Sequence, residues 1–102
     1  MEIIITPQAK EWIAVNGGSI TVEFKKKGGW CPGIKIQGVS EKPSQESVVN
    51  FKKYDINGIE VYIHNALIAE GEVTIDFNKF LLLKWFEITG LKLSDENVCA
   101  IG

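Results

Sequence analysis

The sequence has little of what marks a secreted or membrane-spanning protein. It contains only two cysteines in 102 residues, and a small domain held by disulfides usually has more. No stretch approaches the ~20 apolar residues that a membrane-spanning helix needs. The first residues, Met1 to Trp12, lack a basic region followed by an apolar block, as a secretion signal would have. We therefore expect a cytoplasmic protein with no membrane partner.

Charge and motif content exclude two further classes of protein. Eleven Lys and Arg residues oppose thirteen Asp and Glu residues, which gives a net charge of −2. Because no overall positive field attracts a polyphosphate backbone, we expect no nucleic acid partner. The sequence also lacks the patterns G-x-x-x-x-G-K and Gly-x-Gly-x-x-Gly and a Ser/His/Asp order, which mark common enzyme classes. We therefore expect a protein that is not an enzyme.

The length and the apolar content fit one folded unit. With 102 residues, of which 45% are hydrophobic, the chain can enclose one core. We expect a single domain over residues 1–102. Residues 94–102 are mostly polar or small and end the sequence, so we expect them to form a mobile tail.

Local patterns predict a mainly β (α+β) fold with one N-terminal helix. Thr6 followed by Pro7 is a typical N-cap and first helical residue, so we expect a helix from Pro7 to Val15. Its apolar face consists of Ala9, Trp12 and Ile13. The segment from Ser19 to Lys25 alternates between apolar and polar residues, which predicts a strand with one face in solvent.

Further strands follow from turn signals and alternation. Asn57-Gly58 is a strong turn signal and predicts a hairpin between two strands, Val48 to Tyr54 and Ile59 to His64. Other strands are expected at Glu2 to Thr6, around Ile34 to Ile36, and at Glu72 to Phe77, and an exposed loop is expected from Ser40 to Ser47.

Two segments are harder to assign. Asn65 to Glu70 begins with a capping asparagine and predicts a short second helix. Phe80 to Ile88 is an apolar run that fits either a helix or a buried strand, because periodicity does not separate the two. We favour a turn followed by a strand from Trp85, and whether Phe80 to Leu83 is helix or strand stays open.

Cys31 lies in a loop with unusual backbone freedom. The loop reads Gly28-Gly29-Trp30-Cys31-Pro32-Gly33, and its glycines allow backbone amides to approach a bound thiolate. The same residues can form an ordinary β-turn around a structural cysteine. Trp30 could shield a cluster, lie in a dimer interface or pack in the core. We take Cys31 as a candidate metal ligand, with a supporting loop of Gly28, Gly29, Trp30 and Gly33.

Cys99 is the second candidate ligand. It lies in a segment with few apolar residues, where a packing role is hard to assign, and the alternative is an exposed thiol without a role. Most of the chain separates it from Cys31, which excludes a local C-x-x-C motif. Two thiolates leave a site incomplete, whereas a two-fold dimer supplies the four that a [2Fe–2S] cluster normally needs. The count predicts a metal site shared between protomers.

His64 and a run of lysines have simpler interpretations. His64, the only histidine, ends a predicted strand on the side opposite to its apolar residues, which predicts a solvated residue rather than a metal ligand. Lys25-Lys26-Lys27 could attract an acidic partner, but such a run at a strand end is more often a solvated edge.

Taken from end to end, the sequence resembles the HesB/IscA-like family of A-type iron–sulfur carriers. The family has a helix of the Ile-Thr-x-x-A-x-x-x-I kind and a Gly-Gly-x-Cys-x-Gly loop, which here are Ile5 to Ile13 and Gly28 to Gly33. Its hairpin is similar to Asn57 to Ile63, and its T-I-D-Y and G-F-K-F strands are similar to Thr74 to Phe77 and Trp85 to Ile88.

The resemblance implies a compact β-sandwich-like domain that forms a dimer or higher assembly. It also implies a carrier or assembly role for iron or a [2Fe–2S] cluster, with iron–sulfur assembly or recipient proteins as partners. Cys31 and Cys99 correspond by position to family ligands, but the family's C-terminal Cys-Gly-Cys is here Cys99-Ala100-Ile101. The alternative is a relative that has lost cluster binding and acts as a protein-interaction or thiol/persulfide module.

Overall fold

The computed structural model describes residues 1–26 and 34–93, with the backbone alone at Lys26. The tail predicted over residues 94–102 and the lysine at position 27 lie outside these ranges. The described chain forms two β-sheets and one α-helix, so the predicted mainly β fold is confirmed. Among the described residues, no helix is long and apolar enough to cross a membrane.

Within the described residues, seven strands form the two sheets. In chain order the elements are β1 (Ile3–Ile5), α1 (Pro7–Val15), β2 (Ser19–Lys26), β3 (Ile34–Val39), a 3₁₀ turn (Val48–Asn50), β4 (Phe51–Ile56), β5 (Ile59–His64), β6 (Leu67–Phe80) and β7 (Leu83–Leu93). One sheet has the order β1-β6-β7 and the other the order β3-β2-β5-β4. The pairs β1–β6 and β2–β5 are parallel, and the other pairs are antiparallel.

The core lies between the two sheets and under the helix. Its fully buried aliphatic side chains come from α1, from β2 and β5 of the four-stranded sheet, and from β6 of the three-stranded sheet: Ile13, Ile20, Val22, Val61, Ile63, Val73 and Ile75. Because each sheet buries one apolar face against the other, the predicted sandwich is confirmed for the described residues.

Helix α1 begins and ends where the sequence predicts. The hydroxyl of Thr6 accepts a hydrogen bond from the backbone N–H of Ala9 at 3.3 Å, which satisfies one of the free donors of the first turn. The same hydroxyl donates to Asp76 Oδ1 at 2.7 Å. The N-cap therefore also connects the start of the helix to β6. On the helix face that packs on the core, Ala9 and Ile13 are fully buried.

The predicted short helix from Asn65 to Glu70 is wrong. Asn65 and Ala66 form a turn, and β6 begins at Leu67. Leu67 and Ile68 pair with Leu93 and Lys92 of β7, partners that lie far away in sequence. The capping signal of Asn65 is local, and these tertiary pairs outweigh it.

The polar face of β2, which was expected to contact solvent, is covered at its start but becomes exposed towards its end, where Glu23 is half-buried and Lys25 is exposed. Ser19 and Thr21 are only 3% and 5% exposed. The hydroxyl of Thr21 donates to the backbone carbonyl of Glu41 at 2.5 Å, so the connection after β3 lies over this side of the sheet. The alternation itself is confirmed, since Ile20 and Val22 are fully buried on the other face.

The predicted hairpin at Asn57-Gly58 is present, and a second hairpin joins β6 and β7 where a turn followed by a strand was favoured. Asn57 and Gly58 have positive φ angles of 51° and 87°, as a two-residue type I′ turn requires. The first strand of this hairpin starts at Phe51, because residues 48–50 form the 3₁₀ turn. In the second hairpin, Leu81 and Leu82 form the turn and β7 begins at Leu83, two residues before the predicted start at Trp85.

A bulge between Ala69 and Thr74 interrupts the pairing of β6 with β7. Gly71 and Gly90 have φ angles of 85° and 91° near it. A Cβ on Gly90 would lie 2.1 Å from the backbone oxygen of Glu72, whereas a Cβ on Gly71 would meet no atom within 4 Å. Gly90 is therefore needed for the close approach of two backbones as well as for its φ angle.

These two glycines provide a matched test. We expect Gly71→Ala to lower the free energy of unfolding by about 1–2 kcal/mol, because only backbone strain is added. We expect Gly90→Ala to lower it by about 3–4 kcal/mol, because the clash with Glu72 is added to a similar strain. Urea denaturation of both variants measures the difference, and equal losses would contradict the role given to the close contact.

Glu60 on β5 joins three parts of the four-stranded sheet. Its carboxylate lies 3.3 Å from Lys42 Nζ and 2.9 Å from Lys53 Nζ, and it accepts a hydrogen bond from Ser19 Oγ at 3.0 Å. The hydrogen bond from Lys53, followed by those from Ser19 and Lys42, lowers the pKa of Glu60 from 4.5 to about 2. The ionised form is thus favoured in the folded state.

The lowered pKa predicts a pH-dependent contribution of Glu60 to stability. Above pH 4.5 the carboxylate is ionised in both the folded and unfolded states, and the folded state stabilises it. As the pH falls from 4.5 towards 2, the unfolded state binds the proton first, so this contribution is lost. We expect Glu60→Gln to destabilise the protein at pH 6 and progressively less at pH 4 and pH 3.

Urea denaturation at each pH measures this effect. Glu46→Gln, which removes an exposed carboxylate from the turn at residues 45–47, is the matched control. A deficit in Glu60→Gln that stays constant from pH 6 to pH 3 would contradict the assignment.

Candidate functional site

The predicted site residues lie outside the described parts of the chain. These residues are Cys31, Cys99, Gly28, Gly29, Trp30 and Gly33. Their assignment as ligands and supporting loop therefore stays a prediction. The structure does describe the strand ends from which the two cysteine-containing segments leave the fold.

The segment with Cys31 connects the end of β2 to the start of β3. Lys26 and Ile34, its two flanking residues, are paired with each other. Two residues before Lys26, the ring of Phe24 lies 5.2 Å from the ring of His64, centroid to centroid. The last part of β2, which precedes the glycine loop in the sequence, therefore lies beside the end of β5, where His64 is the last residue.

The segment with Cys99 follows the end of β7. Leu93, the last described residue, pairs with Leu67 at the start of β6. Only the turn of Asn65 and Ala66 separates Leu67 from His64. Both cysteine-containing segments therefore leave the described fold near His64, at one end of the four-stranded sheet.

His64 is half-buried in an aromatic setting rather than solvated. Its ring contacts Phe24 and Phe51 edge to face, each with a centroid distance of 5.2 Å and with interplanar angles of 83° and 76°. The backbone N–H of Ala66 donates to His64 Nδ1 at 3.0 Å. This bond assigns the neutral tautomer with its proton on Nε2.

The tautomer leaves His64 poorly suited to bind a metal. Nδ1 is occupied by the hydrogen bond from Ala66, and Nε2 carries the proton, so neither nitrogen offers a free lone pair. Within residues 1–26 and 34–93, no three His, Cys, Asp or Glu side chains are grouped to hold a metal ion. That His64 is not a ligand stays a prediction, because the two cysteine-containing segments lie outside the described residues.

The aromatic neighbours of His64 were not identified in the sequence, although one of them could have been. The Asn57-Gly58 turn fixes the register of β4 with β5, and counting from it places Phe51 opposite His64. Phe24 reaches His64 through the parallel pairing of β2 with β5. No local signal in the sequence specifies that pairing.

A second aromatic cluster lies between α1 and the strands β6 and β7. Trp12 stacks on Phe77 with a centroid distance of 4.6 Å, and Phe77 contacts Phe86 edge to face at 5.1 Å. Lys84 Nζ lies 4.9 Å from the centroid of the Trp12 ring. A groove of about 420 Å³ lies beside this cluster, between β3 and β7, and includes Lys35.

This groove is shallow and has a basic lining. The described side chains that line it include Lys35 and Lys84 but no carboxylate and no imidazole. Such a lining can attract an anion but does not provide a general acid–base pair. The groove therefore gives no support for catalysis by these residues.

Comparison with known proteins identifies the fold. No curated protein matches the sequence. The crystal structure of Escherichia coli SufA, a protein involved in the biosynthesis of iron–sulfur clusters, matches with a TM-score of 0.54 and 16% sequence identity. The match covers 87% of this chain and 80% of SufA. At this identity the likeness shows a shared fold.

The sequence also matches a protein family over residues 1–91. The matched region contains Cys31 and ends before Cys99. No two cysteines are adjacent in this chain, since Cys31 lies between Trp30 and Pro32. The matched family differs from the HesB/IscA-like family that the sequence motifs resemble. The match covers most of the sequence, and the chain belongs to the CC/Se motif containing family.

Proposed function

We propose that this protein carries iron or an iron–sulfur cluster, or assists in its assembly, without acting as an enzyme. Cys31 and Cys99 are the proposed ligands, and the cargo is iron or a [2Fe–2S] cluster. The fold shared with SufA, which is involved in iron–sulfur cluster biosynthesis, supports this role at the level of architecture.

The observation that carries the proposal is the position of the two strand ends near His64. Cys31 follows Lys26 by five positions and Cys99 follows Leu93 by six. An extended chain spans about 3.3–3.6 Å per residue, so these cysteines lie within ~18 Å and ~22 Å of the two strand ends. The covalent chain therefore allows the two thiolates to meet at one end of the fold.

The number of thiolates favours a cargo site between protomers. One chain provides two thiolates, and a two-fold dimer provides the four that a [2Fe–2S] cluster normally binds. A ligand set divided between two chains is also easier to open than one closed within a single core. Easy release suits a protein that passes its cargo to a recipient.

Anaerobic reconstitution with iron and sulfide tests this proposal. We expect visible thiolate-to-iron absorption, about one [2Fe–2S] cluster per dimer and a dimer mass for the loaded protein. Cys31→Ser and Cys99→Ser should each lose the absorption and the bound iron. A wild-type protein that stays colourless and binds no iron would overturn the proposal.

His64→Phe is the matched control for the ligand set. It keeps an aromatic ring between Phe24 and Phe51 but removes the acceptor for the backbone N–H of Ala66. We expect a loss of about 1 kcal/mol in the free energy of unfolding with no loss of bound iron. If His64→Phe bound no iron although folded, the ligand set would have to include this histidine.

A thiol function of Cys31 alone is the second candidate. The family match includes Cys31 and stops before Cys99, so the features shared with that family contain only one of the two cysteines. In this case the protein is a thiol/persulfide or protein-interaction module on the same scaffold. A persulfide carrier needs an exposed thiolate with a lowered pKa.

Thiol reactivity distinguishes the second candidate from the first. We expect the rate of alkylation of Cys31 in the Cys99→Ser variant to report its pKa as a function of pH. A thiol pKa well below the ordinary value of about 8.5 would favour persulfide chemistry. A pKa near that value in a protein that binds iron would favour the carrier role.

A further inference from the structure

The tip of the β6–β7 hairpin is an exposed apolar surface. Phe80, Leu81, Leu82 and Leu83 are consecutive, and their exposed fractions are 64%, 86%, 95% and 65%. Phe80 pairs with Leu83, and Leu81 and Leu82 form the turn between them. None of the four belongs to the apolar core of the described residues. We refer to these four residues as the apolar tip.

The turn geometry does not explain the leucines of the apolar tip. Leu81 has a φ angle of 56°, which lies in the left-handed region that glycine and asparagine adopt more readily than leucine. Folding of the hairpin would therefore favour a different residue at this position. A contiguous exposed apolar surface of this kind often marks a contact with a protein or a membrane.

Two lysines lie directly behind the apolar tip. Lys79 and Lys84 are paired with each other, next to the pair of Phe80 and Leu83, and both are exposed. Like charges directly opposite each other on a hairpin repel. Lys84 also forms a cation–π contact with the Trp12 ring, which partly stabilises its charge. Bound anionic groups would remove the remaining repulsion.

Trp85 follows the lysines, and the acidic residues of the hairpin itself lie further from the tip. Trp85 is 42% exposed. On the hairpin, Asp76 and Glu87 are opposite each other, three residues further from the tip than the lysines. Asp76 Oδ1 accepts hydrogen bonds from Thr6 Oγ1 and from the backbone N–H of Phe77. Glu11 of α1 lines a groove that also includes Lys79.

We propose that the apolar tip inserts into the interface of a membrane that contains anionic lipids. Strands rise about 3.3–3.4 Å per residue, so the turn extends about 7–10 Å beyond the lysines. Apolar surfaces of interfacial proteins lie about 5–10 Å below the headgroups. At this depth Lys79 and Lys84 reach the lipid phosphates, and Trp85 lies at the level where tryptophan is enriched.

Charge complementarity favours an anionic bilayer over a second copy of the chain. Two copies in contact tip to tip would bring their lysine pairs together, with repulsion between four positive charges. An anionic membrane surface instead attracts each lysine. The expectation that no membrane is a partner was based on the lack of a run of ~20 apolar residues. An apolar tip of this length lies in the interface and does not span the bilayer.

This inference does not depend on the proposed iron–sulfur role. It uses no residue of the predicted cargo site, and it holds whether or not Cys31 and Cys99 bind iron. A membrane-bound carrier would present its cargo end, near His64, away from the hairpin turn, because Leu67 and Phe80 are the opposite ends of β6.

Vesicle flotation with the full chain tests the inference. We expect binding to vesicles of phosphatidylcholine with about 30% phosphatidylserine, and at least about tenfold weaker binding to phosphatidylcholine alone. Tryptophan emission should shift to shorter wavelength on binding, and Trp85→Phe should remove most of that shift. Added salt should weaken the binding, because it screens the attraction of the lysines.

Two pairs of variants separate the apolar from the ionic contribution. Leu82→Asn should weaken binding about tenfold or more, whereas Val49→Asn, at a site that is also exposed (75%), should have no effect. The double variant of Lys79→Gln and Lys84→Gln should weaken binding about 30-fold. The double variant of Lys10→Gln and Lys52→Gln removes the same charge elsewhere. Its loss of vesicle affinity, on a logarithmic scale, should be less than half as large.

Three outcomes would overturn the inference. The first is a wild-type protein that does not float with anionic vesicles, and the second is equal binding by wild type and Leu82→Asn. The third comes from sedimentation without lipid. If Leu82→Asn dissociates an oligomer of the wild type and vesicles do not bind, the apolar tip contacts a second copy of the chain instead.

Discussion

The parallel pairing of β2 with β5 is the constraint on which the arrangement of the molecule depends. It aligns Val22 with Ile63, so the two strands run in the same direction and finish at the same end of the four-stranded sheet. This alignment brings Phe24 of β2 to His64, which is followed by the turn into β6. The end of β7 pairs with the start of β6, so Leu93, the last described residue of β7, lies near the same end. One register thereby brings together the strand ends that precede the two cysteine-containing segments.

The elements that the sequence predicts well are those with local causes. The helix start depends on Thr6 and Pro7, and the first hairpin depends on the positive φ angles of Asn57 and Gly58. The false helix after His64 shows the limit of such signals. Asn65 can cap a helix, but the pairing of Leu67 with Leu93 depends on a strand that is distant in sequence. The local sequence pattern around Asn65 does not predict the pairing of Leu67 with Leu93.

The candidate site follows the same division. Counting from the Asn57-Gly58 turn gives the pairing of Phe51 with His64, whereas the contact of Phe24 with His64 depends on the parallel pairing of two strands that are distant in sequence. The covered start of the polar face of β2 has a similar cause. Thr21 is buried by the loop after β3, and an alternation pattern does not predict where that loop lies. Cysteine identity and loop composition indicate soft-metal chemistry, but the distance between the two thiols depends on tertiary structure.

The ion pairs of Glu60 have a consequence for how molecules of this kind can associate. Lys42 forms an ion pair with one carboxylate oxygen of Glu60, and Lys53 forms an ion pair with the other. The pair with Lys42 holds the loop that follows β3 over the central strands of the four-stranded sheet. Tyr62, whose partner in β2 is Thr21, is 7% exposed beneath this layer. A second copy that approached this face would therefore meet the loop after β3 first, and not the central strands of the sheet.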